Sequence, residues 1–391
     1  MLGLGVARVR RSPRGLFTAG EQGVWYDPSD FSTLFQDAAG TIPVTAVEQP
    51  VGLMLDKSKG LVLGAELVTN GDFSSGTTGW AAYNAVISVT GGVLKVDDSA
   101  GAGSNSSAVQ QLTGLVAGKT YKLQFNVVSV VGAWSIGFAS SATGTGITFP
   151  LLAKTATGAN QLVFTYGGTH NFLFVEVDGN GVTEFDNISV RELPGNHASQ
   201  STATSRPVLK QDANGKYFLL FDGIDDGMVT ASIDFSAGDK MTVFAGVRKL
   251  SDAAAGIVLE SSVSSGVNAG AFAVIAPAGA SDTYTFRARG SSDDLIVMAG
   301  YAAPITNVMT GIGDIPGNSC RARVNGGAFS ESEANQGTGN FGNYPLYIGR
   351  RAGTTFPFNG HLYSLIVRGA QSTDAEIVAA ETYVNSKTAA Y

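Results

Sequence analysis

Lys216-Tyr-Phe-Leu-Leu-Phe-Asp-Gly-Ile-Asp-Asp226 decides the reading of this chain. Tyr217 to Phe221 is a short apolar run rich in β-favouring residues, and the Gly-centred acidic turn that follows ends it. Its expected partner lies far downstream, in Phe358-Asn-Gly-His-Leu-Tyr-Ser-Leu-Ile-Val-Arg368. There Leu362, Ser364 and Ile366 fall on one face and Tyr363, Leu365 and Val367 on the other. A strand apolar on both faces is covered on both, as a central strand of a sandwich is. The two stretches therefore read as a seam closing the ends of one β domain.

Working outward, the 391 residues suffice for two or three domains. Fifty-one glycines, 15% charged residues and short runs of Val, Thr and Phe broken by Gly, Asn, Asp and Ser point to an all-β chain with tight turns. The single cysteine, Cys320, excludes an internal disulfide framework and a thiolate zinc cluster. Arg8, Arg10, Arg11 and Arg14 are not followed by the apolar core of a secretory signal, and no apolar run reaches the ~20 residues that span a bilayer. A soluble protein without a signal peptide is expected. A net charge of −7 argues against duplex nucleic acid as ligand.

Four segments follow along the chain. Residues 1–65 are turn-rich and carry exposed-looking aromatics around Trp25-Tyr-Asp-Pro-Ser-Asp-Phe31, which bury either on the following domain or on another chain. Residues 66–193 are a β domain. It opens on Asn70-Gly-Asp-Phe73 and Gly79-Trp80, includes the alternating strand Tyr121, Leu123, Phe125, Val127, and closes on Phe185-Asp-Asn-Ile-Ser-Val-Arg191. Residues 194–207 are a polar linker. Residues 208–391 are a second β domain, ending in a helix announced by the capping box Thr373-Asp-Ala-Glu376, with Ile377, Ala380 and Val384 as its buried face.

Catalytic patterns are missing. Retaining glycosidases need paired carboxylates about 5–5.5 Å apart. Glu176-Val-Asp178 lacks the third acid of a Glu-x-Asp-x-x-Glu run, and Glu331-Ser-Glu333 sits among loop residues. His170, His197 and His361 have no metal-ligand spacing, no Gly-x-Ser-x-Gly elbow occurs, and Gly337-Thr-Gly-Asn-Phe-Gly342 lacks the βαβ setting of a dinucleotide loop. No enzyme is expected. Trp80, Tyr83 and Trp134, with Tyr301, Phe341, Tyr344 and Phe356, offer either flat faces for sugar rings or core packing. Asp222, Asp225 and Asp226 are either cation ligands or a solvated turn.

Three resemblances sharpen these expectations. Trp25-Tyr-Asp-Pro-Ser-Asp30, Leu34-Phe-Gln-Asp37 and Gln49-Pro-Val-Gly-Leu-Met-Leu-Asp-Lys-Ser58 resemble blocks at the N-terminus of tailed-bacteriophage virion proteins. Residues 66–193 resemble galactose-binding-like jelly rolls that serve as carbohydrate-binding modules, which implies a structural calcium between the first turn and the last strand, at Asp72 and Asp186. Those carboxylates equally suit turn capping. Phe221-Asp-Gly-Ile-Asp-Asp226, Tyr347-Ile-Gly-Arg350, Phe358-Asn-Gly-x-Leu-Tyr-Ser-Leu-Ile-Val367 and the final helix together resemble the concanavalin A-like lectin/glucanase superfamily of laminin-G type. The resemblances imply two jelly-roll domains in tandem behind a docking segment that binds other virion proteins. They imply a structural and adhesive role in a virion, as a tail fibre or receptor-binding protein contacting host glycans, in a homo-oligomer such as a trimer. A head decoration or spike, or a non-viral polysaccharide-binding or hydrolase accessory protein, is the alternative.

Overall fold

The computed structural model describes residues 12–101, 105–142 and 149–391; Arg8, Arg10 and Arg11 lie outside them. Nearly every element is a β-strand, and one α-helix closes the chain. The chain forms two compact units: Met1–Ala38, Ile42–Leu61 and Gly195–Tyr391 make one, and Ala39–Thr41 with Val62–Pro194 make the other. Of the stretch 1–65 read as a docking segment, residues 12–38 and 42–61 are thus part of the C-terminal sandwich, and the domain read as the first jelly roll is an insertion within that unit.

Two antiparallel sheets build the larger unit. In the first, neighbouring strands run Val208–Gln211, Tyr217–Asp222, Asn359–Arg368, Lys240–Lys249, Ile305–Asp314, Ser319–Val324 and Ser330–Ser332, and Gly23–Tyr26 also pairs with Asn359–Arg368. The seam forms as expected, with Leu219 opposite Leu362 and Phe221 opposite Gly360. The face assignment downstream differs. Tyr363 is bulged out between the pairs Val247/Leu362 and Gly246/Ser364, so Leu362 joins Leu365 and Val367 in the core while Ile366 points to the helix side. A one-residue bulge switches faces, and periodicity cannot announce it.

The second sheet runs Leu34–Phe35, Leu53–Met54, Ala198–Ser199, Met228–Asp234, Asn343–Ile348, Ile257–Ser261, Phe272–Ile275, Tyr284–Arg289 and Asp293–Met298. Phe221, Val243 and Leu365 of the first sheet meet Leu259, Phe272, Phe286 and Leu346 of the second in one apolar core. The outer face of the first sheet is covered by the helix Asp374–Thr388, whose Ile377, Ala380 and Val384 pack with Trp25, Phe244, Val308 and Ile366. Thr373 and Glu376 form the capping box. Gly246 permits the close approach: a Cβ there would lie 2.6 Å from Thr388 Cγ2 and 2.9 Å from Val384 Cγ1. Buried Glu381 anchors the helix by accepting from Arg323 and from the Thr310 hydroxyl.

Residues 194–207, read as a linker, are ordered structure. Leu53 pairs with Ser199 and Met54 with Ala198. Asp56 accepts from the amides of Trp25, Ser58 and Asn196, and its own amide donates to His197 Nδ1. Gly195, at φ +142°, has no room for a Cβ, which would stand 3.2 Å from the Asp56 carbonyl oxygen. The two ends of the insertion are therefore clasped together inside the larger unit.

The inserted unit centres on two long strands, Thr120–Ala139 and Phe172–Glu192, paired antiparallel along most of their length. Shorter strands flank them, in the order Gly158–Thr165, Thr120–Ala139, Phe172–Glu192, Val93–Asp97, Val86–Thr90. Phe125, Trp134 and Phe185 form its aromatic centre, with edge-on contacts at 5.3 and 6.2 Å from Trp134.

Candidate functional site

The outer face of the second sheet carries a row of charged and aromatic groups. Pairing fixes the row Val229, Tyr347, Glu260, Ala273, Arg287, Leu295 across six strands. Leu346, Ile348, Leu259, Val274 and Phe286 point into the core, so alternation turns Tyr347, Glu260, Ala273 and Arg287 outward. Ala273, between this acid and this base, is itself buried with Ile257 and Ile275.

Glu260 is 0% exposed although it faces out. Its Oε1 accepts from the Ser265 amide at 2.6 Å, and its Oε2 from Arg351 Nε at 2.8 Å. The segment 262–268 lies over this face: the Gly266 carbonyl accepts from Arg289 Nη1 at 3.1 Å, while Arg287 Nε stands 3.2 Å from Asp293 Oδ1. The hydroxyls of Ser265 and Thr285 are buried there with no protein partner. Val263 and Val267 on the covering segment are exposed.

Arg351 joins this cluster to Phe356. The turn between them is closed by the Arg351 amide on the Thr355 carbonyl at 2.8 Å. It holds the guanidinium 4.7 Å from the Phe356 ring centroid. Phe356 has φ +51°, in the left-handed region, and is 42% exposed. A bulky residue pays on the order of 1 kcal/mol for that backbone and keeps an apolar ring in water. The result is a flat ring whose back is fixed by Arg351, which is itself held by a buried carboxylate.

The other aromatics singled out from the sequence are placed differently. Trp134 and Phe341 are fully buried core residues, and Trp134 Nε1 donates to the Ala156 carbonyl. Trp80 packs on Phe73 at 5.6 Å inside the inserted unit. These three present no face to a ligand, because the sandwich interiors use them as filling. Tyr83 is half-buried against Val109 and Phe174, Tyr301 packs edge-on against Tyr284 at 5.5 Å, and the Tyr344 hydroxyl donates to the Ala269 carbonyl. Glu260 and Arg351 were not picked out from the sequence; the one signal was an acid ending the apolar run Ile257-Val-Leu-Glu260.

Acidic groups form two further sites. The first turn and the last strand of the inserted unit do meet, at a cavity of about 400 Å³ lined by Glu66, Asn70, Asp72, Asn187 and Arg191 among others. The groups that join them are Ile188, whose amide donates to the Gly71 carbonyl, and Glu66. Glu66 accepts from the amides of Leu67, Val68 and Val190, from the Ser189 hydroxyl and from Arg191. Burial pushes its pKa up, but the bonds from Ser189, Val68, Arg191 and Val190 outweigh burial and hold it below the usual carboxylate value. Asp72 Oδ1 accepts from the Ser74 amide and hydroxyl, and both Asp186 oxygens accept from Asn187. Each of these two carboxylates caps its own turn, and Arg191 brings a positive charge to the cavity.

Asp222, Asp225 and Asp226 bring carboxylate oxygens within 4.8 Å of one another. Asp222 Oδ1 accepts from the amides of Ile224 and Asp225, Asp226 Oδ2 accepts from the Asp222 amide, and Asp225 accepts from the Ser205 hydroxyl. Burial, then the neighbouring Asp222 and Asp225 charges, push the Asp226 carboxyl up to about 6.

The chemical groups expected of a hydrolase do not converge. Glu331 and Glu333 are exposed, Glu331 on the edge strand Ser330–Ser332. Glu176 is buried in the other unit and accepts from the Ser135 hydroxyl. Cys320 is buried, and burial pushes its thiol well above the usual range.

No family model matches the chain, and no curated protein matches it. Among solved structures, the Ruminococcus gnavus IT-sialidase CBM40 bound to α2,3-sialyllactose aligns with 17% identity and a TM-score of 0.30, over 36% of this chain and 82% of that one. A structure titled for botulinum neurotoxin type C cell entry through two ganglioside molecules aligns with 8% identity and a TM-score of 0.35, over 47% and 48%. The binding domain of botulinum neurotoxin DC in complex with rat synaptotagmin II gives 10% identity and 0.35, over 48% and 49%. The chain spans about half the length of these neurotoxin structures. At such scores the likeness assigns neither residues nor ligands, and the β-sandwich architecture stands on the strand pairings.

Proposed function

We propose that the protein is a non-catalytic glycan-binding component of a phage virion, of the tail-fibre or receptor-binding kind, and that it contacts sugar on the outer face of its second sheet around Arg351 and Phe356. The observation that carries the binding reading is Phe356: an exposed ring in left-handed backbone, backed by Arg351 and through it by buried Glu260. Sugar-binding sites combine an apolar face for the ring carbons with fixed polar groups for the hydroxyls. Arg351, beside the Phe356 ring, supplies such a group. The virion reading is supported by the resemblance of residues 25–58.

A glycan array with the intact chain and Phe356→Ala, run beside a reducing-sugar release assay, tests the proposal. Binding by the intact chain, its loss in Phe356→Ala at an unchanged melting temperature, and no released sugar are expected. Equal binding by Phe356→Ala would remove the site, and sugar release would remove the non-catalytic reading. Electron microscopy of particles labelled with an antibody to residues 208–391 tests the virion location.

A further inference from the structure

The strand Val86–Thr90 is an unprotected sheet edge. It pairs only with Val93–Asp97, and its five residues, Val-Ile-Ser-Val-Thr, carry no charge and no proline. The other edges among the described residues are defended. Asp293–Met298 begins with two acids, Val208–Gln211 carries Lys210, Ser330–Ser332 carries Glu331 and Phe149–Lys154 ends in a lysine. Ala81–Tyr83 and Leu34–Phe35 are three and two residues long. Gly158–Thr165 is covered, since the Val163 amide donates to Ala39 and the Gln161 side chain to Gly40. Charges, short length and covering are the ordinary means by which edges are kept from pairing.

The backbone of this edge is available. Thr90 and Val93 flank the two-residue turn Gly91-Gly92, both at positive φ, which makes Thr90/Val93, Ser88/Lys95 and Val86/Asp97 the pairs that exchange hydrogen bonds. The amides and carbonyls of Ile87 and Val89 therefore point away from the sheet. The side chains of Ile87 and Val89 lie on the core side but are only partly buried. Val86, Ser88 and Thr90 are exposed on the other face.

We infer that Val86–Thr90 is a self-association edge, which pairs antiparallel with the same strand of a second copy about a two-fold axis through Ser88. In that register Ile87 of one copy stands opposite Val89 of the other, and the two exchange backbone hydrogen bonds. Their half-buried side chains meet on the core side and extend the core of each unit into its neighbour. On the outer face Val86 meets Thr90 and Ser88 meets Ser88, so no like charges oppose each other. The nearest charges, Lys95 and Asp97, are already paired at 2.7 Å within each copy. A second copy fits better than an unrelated strand because the pattern is palindromic about Ser88: apolar on the core side at 87 and 89, uncharged on the outer face at 86, 88 and 90.

Sedimentation equilibrium of the full chain from about 1 to 100 µM, the range suited to a small interface, reads the proposal directly. A species of twice the 40.2 kDa chain mass is expected. Ser88→Lys, at an exposed position, sets two lysines against each other on the axis and should weaken association at least about tenfold with no change in melting temperature. Val89→Pro removes an outward-facing amide, along with a partly buried side chain, and should act in the same direction. A monomer at the highest concentration, a trimer, or a dimer that survives both substitutions would overturn the inference.

Discussion

Replacing Asp226 by Asn should stabilise the protein at neutral pH, and the effect should vanish in acid. Asp226 is 7% exposed and shares its turn with two other carboxylates within 4.8 Å. Its carboxyl titrates near 6 in the fold against 3.8 for the ordinary group. A carboxyl whose pKa is raised by folding favours the folded state when protonated. That contribution is complete below about 3.8 and is lost as pH rises through about 6. The full difference corresponds to roughly 3 kcal/mol. Asp222 is exposed and Asp225 partly so, and solvent screening reduces the cost to about 1–2 kcal/mol at pH 7 and above. Asn keeps an oxygen to accept from the Asp222 amide, which Asp226 Oδ2 receives at 3.1 Å. At about 2–4 °C per kcal/mol for a body of this size, the melting transition of the larger unit should rise by about 2–8 °C at pH 8. Near pH 4 the two proteins should melt together. Scanning calorimetry from pH 4 to 8 resolves this; an equal gain at every pH, or a loss at pH 8, would refute the electrostatic account.

Other perturbations follow from the same contacts. Glu260→Ala leaves Arg351 facing a buried site without its partner and should cost the larger unit about 3 kcal/mol or more in denaturant unfolding; a cost below about 1 kcal/mol would mean that the pair is not buried in solution. Trp134→Ala opens the aromatic centre of the inserted unit and should cost about 3–5 kcal/mol there, with the calorimetric transition of the larger unit unmoved. Glu66→Ala removes the acceptor that joins the first turn to the last strand and should lower the melting temperature of the inserted unit above pH 5, with the difference shrinking as pH falls and Glu66 protonates. A calcium chelator tested beside it reads the ion that the resemblance implies at Asp72 and Asp186, and an unchanged melting temperature would leave the clamp to Glu66 and the Ile188–Gly71 bond.

The parts of the fold that were legible in the sequence are those whose signal is local and strong. The apolar run Tyr217–Phe221 and the strand ending at Arg368 pair as their composition implies, and Thr373 to Glu376 caps the helix as its spacing implies. The insertion was not legible, because the contacts that make it are two-residue strands, Leu53–Met54 and Ala198–Ser199, brought together across the whole inserted unit. The Ser- and Thr-rich composition of residues 194–207 matches that of a free linker; the pairing of Ala198–Ser199 and the partners of Asp56 show otherwise. For the site, aromatic identity alone could not separate Phe356 from Trp134. What separates them is backbone conformation and register, which place one on a turn at positive φ and the other opposite Val177 in the middle of a sheet.

The clasp at Asp56, Asn196 and His197 means that the two ends of the 62–194 segment leave the larger unit side by side. A module attached in this way can be traded for another whose ends also lie side by side, without re-threading any strand of the host sandwich. Sequence change in the inserted unit can therefore proceed by exchange of a cassette, while the sandwich that carries Phe356 changes by substitution.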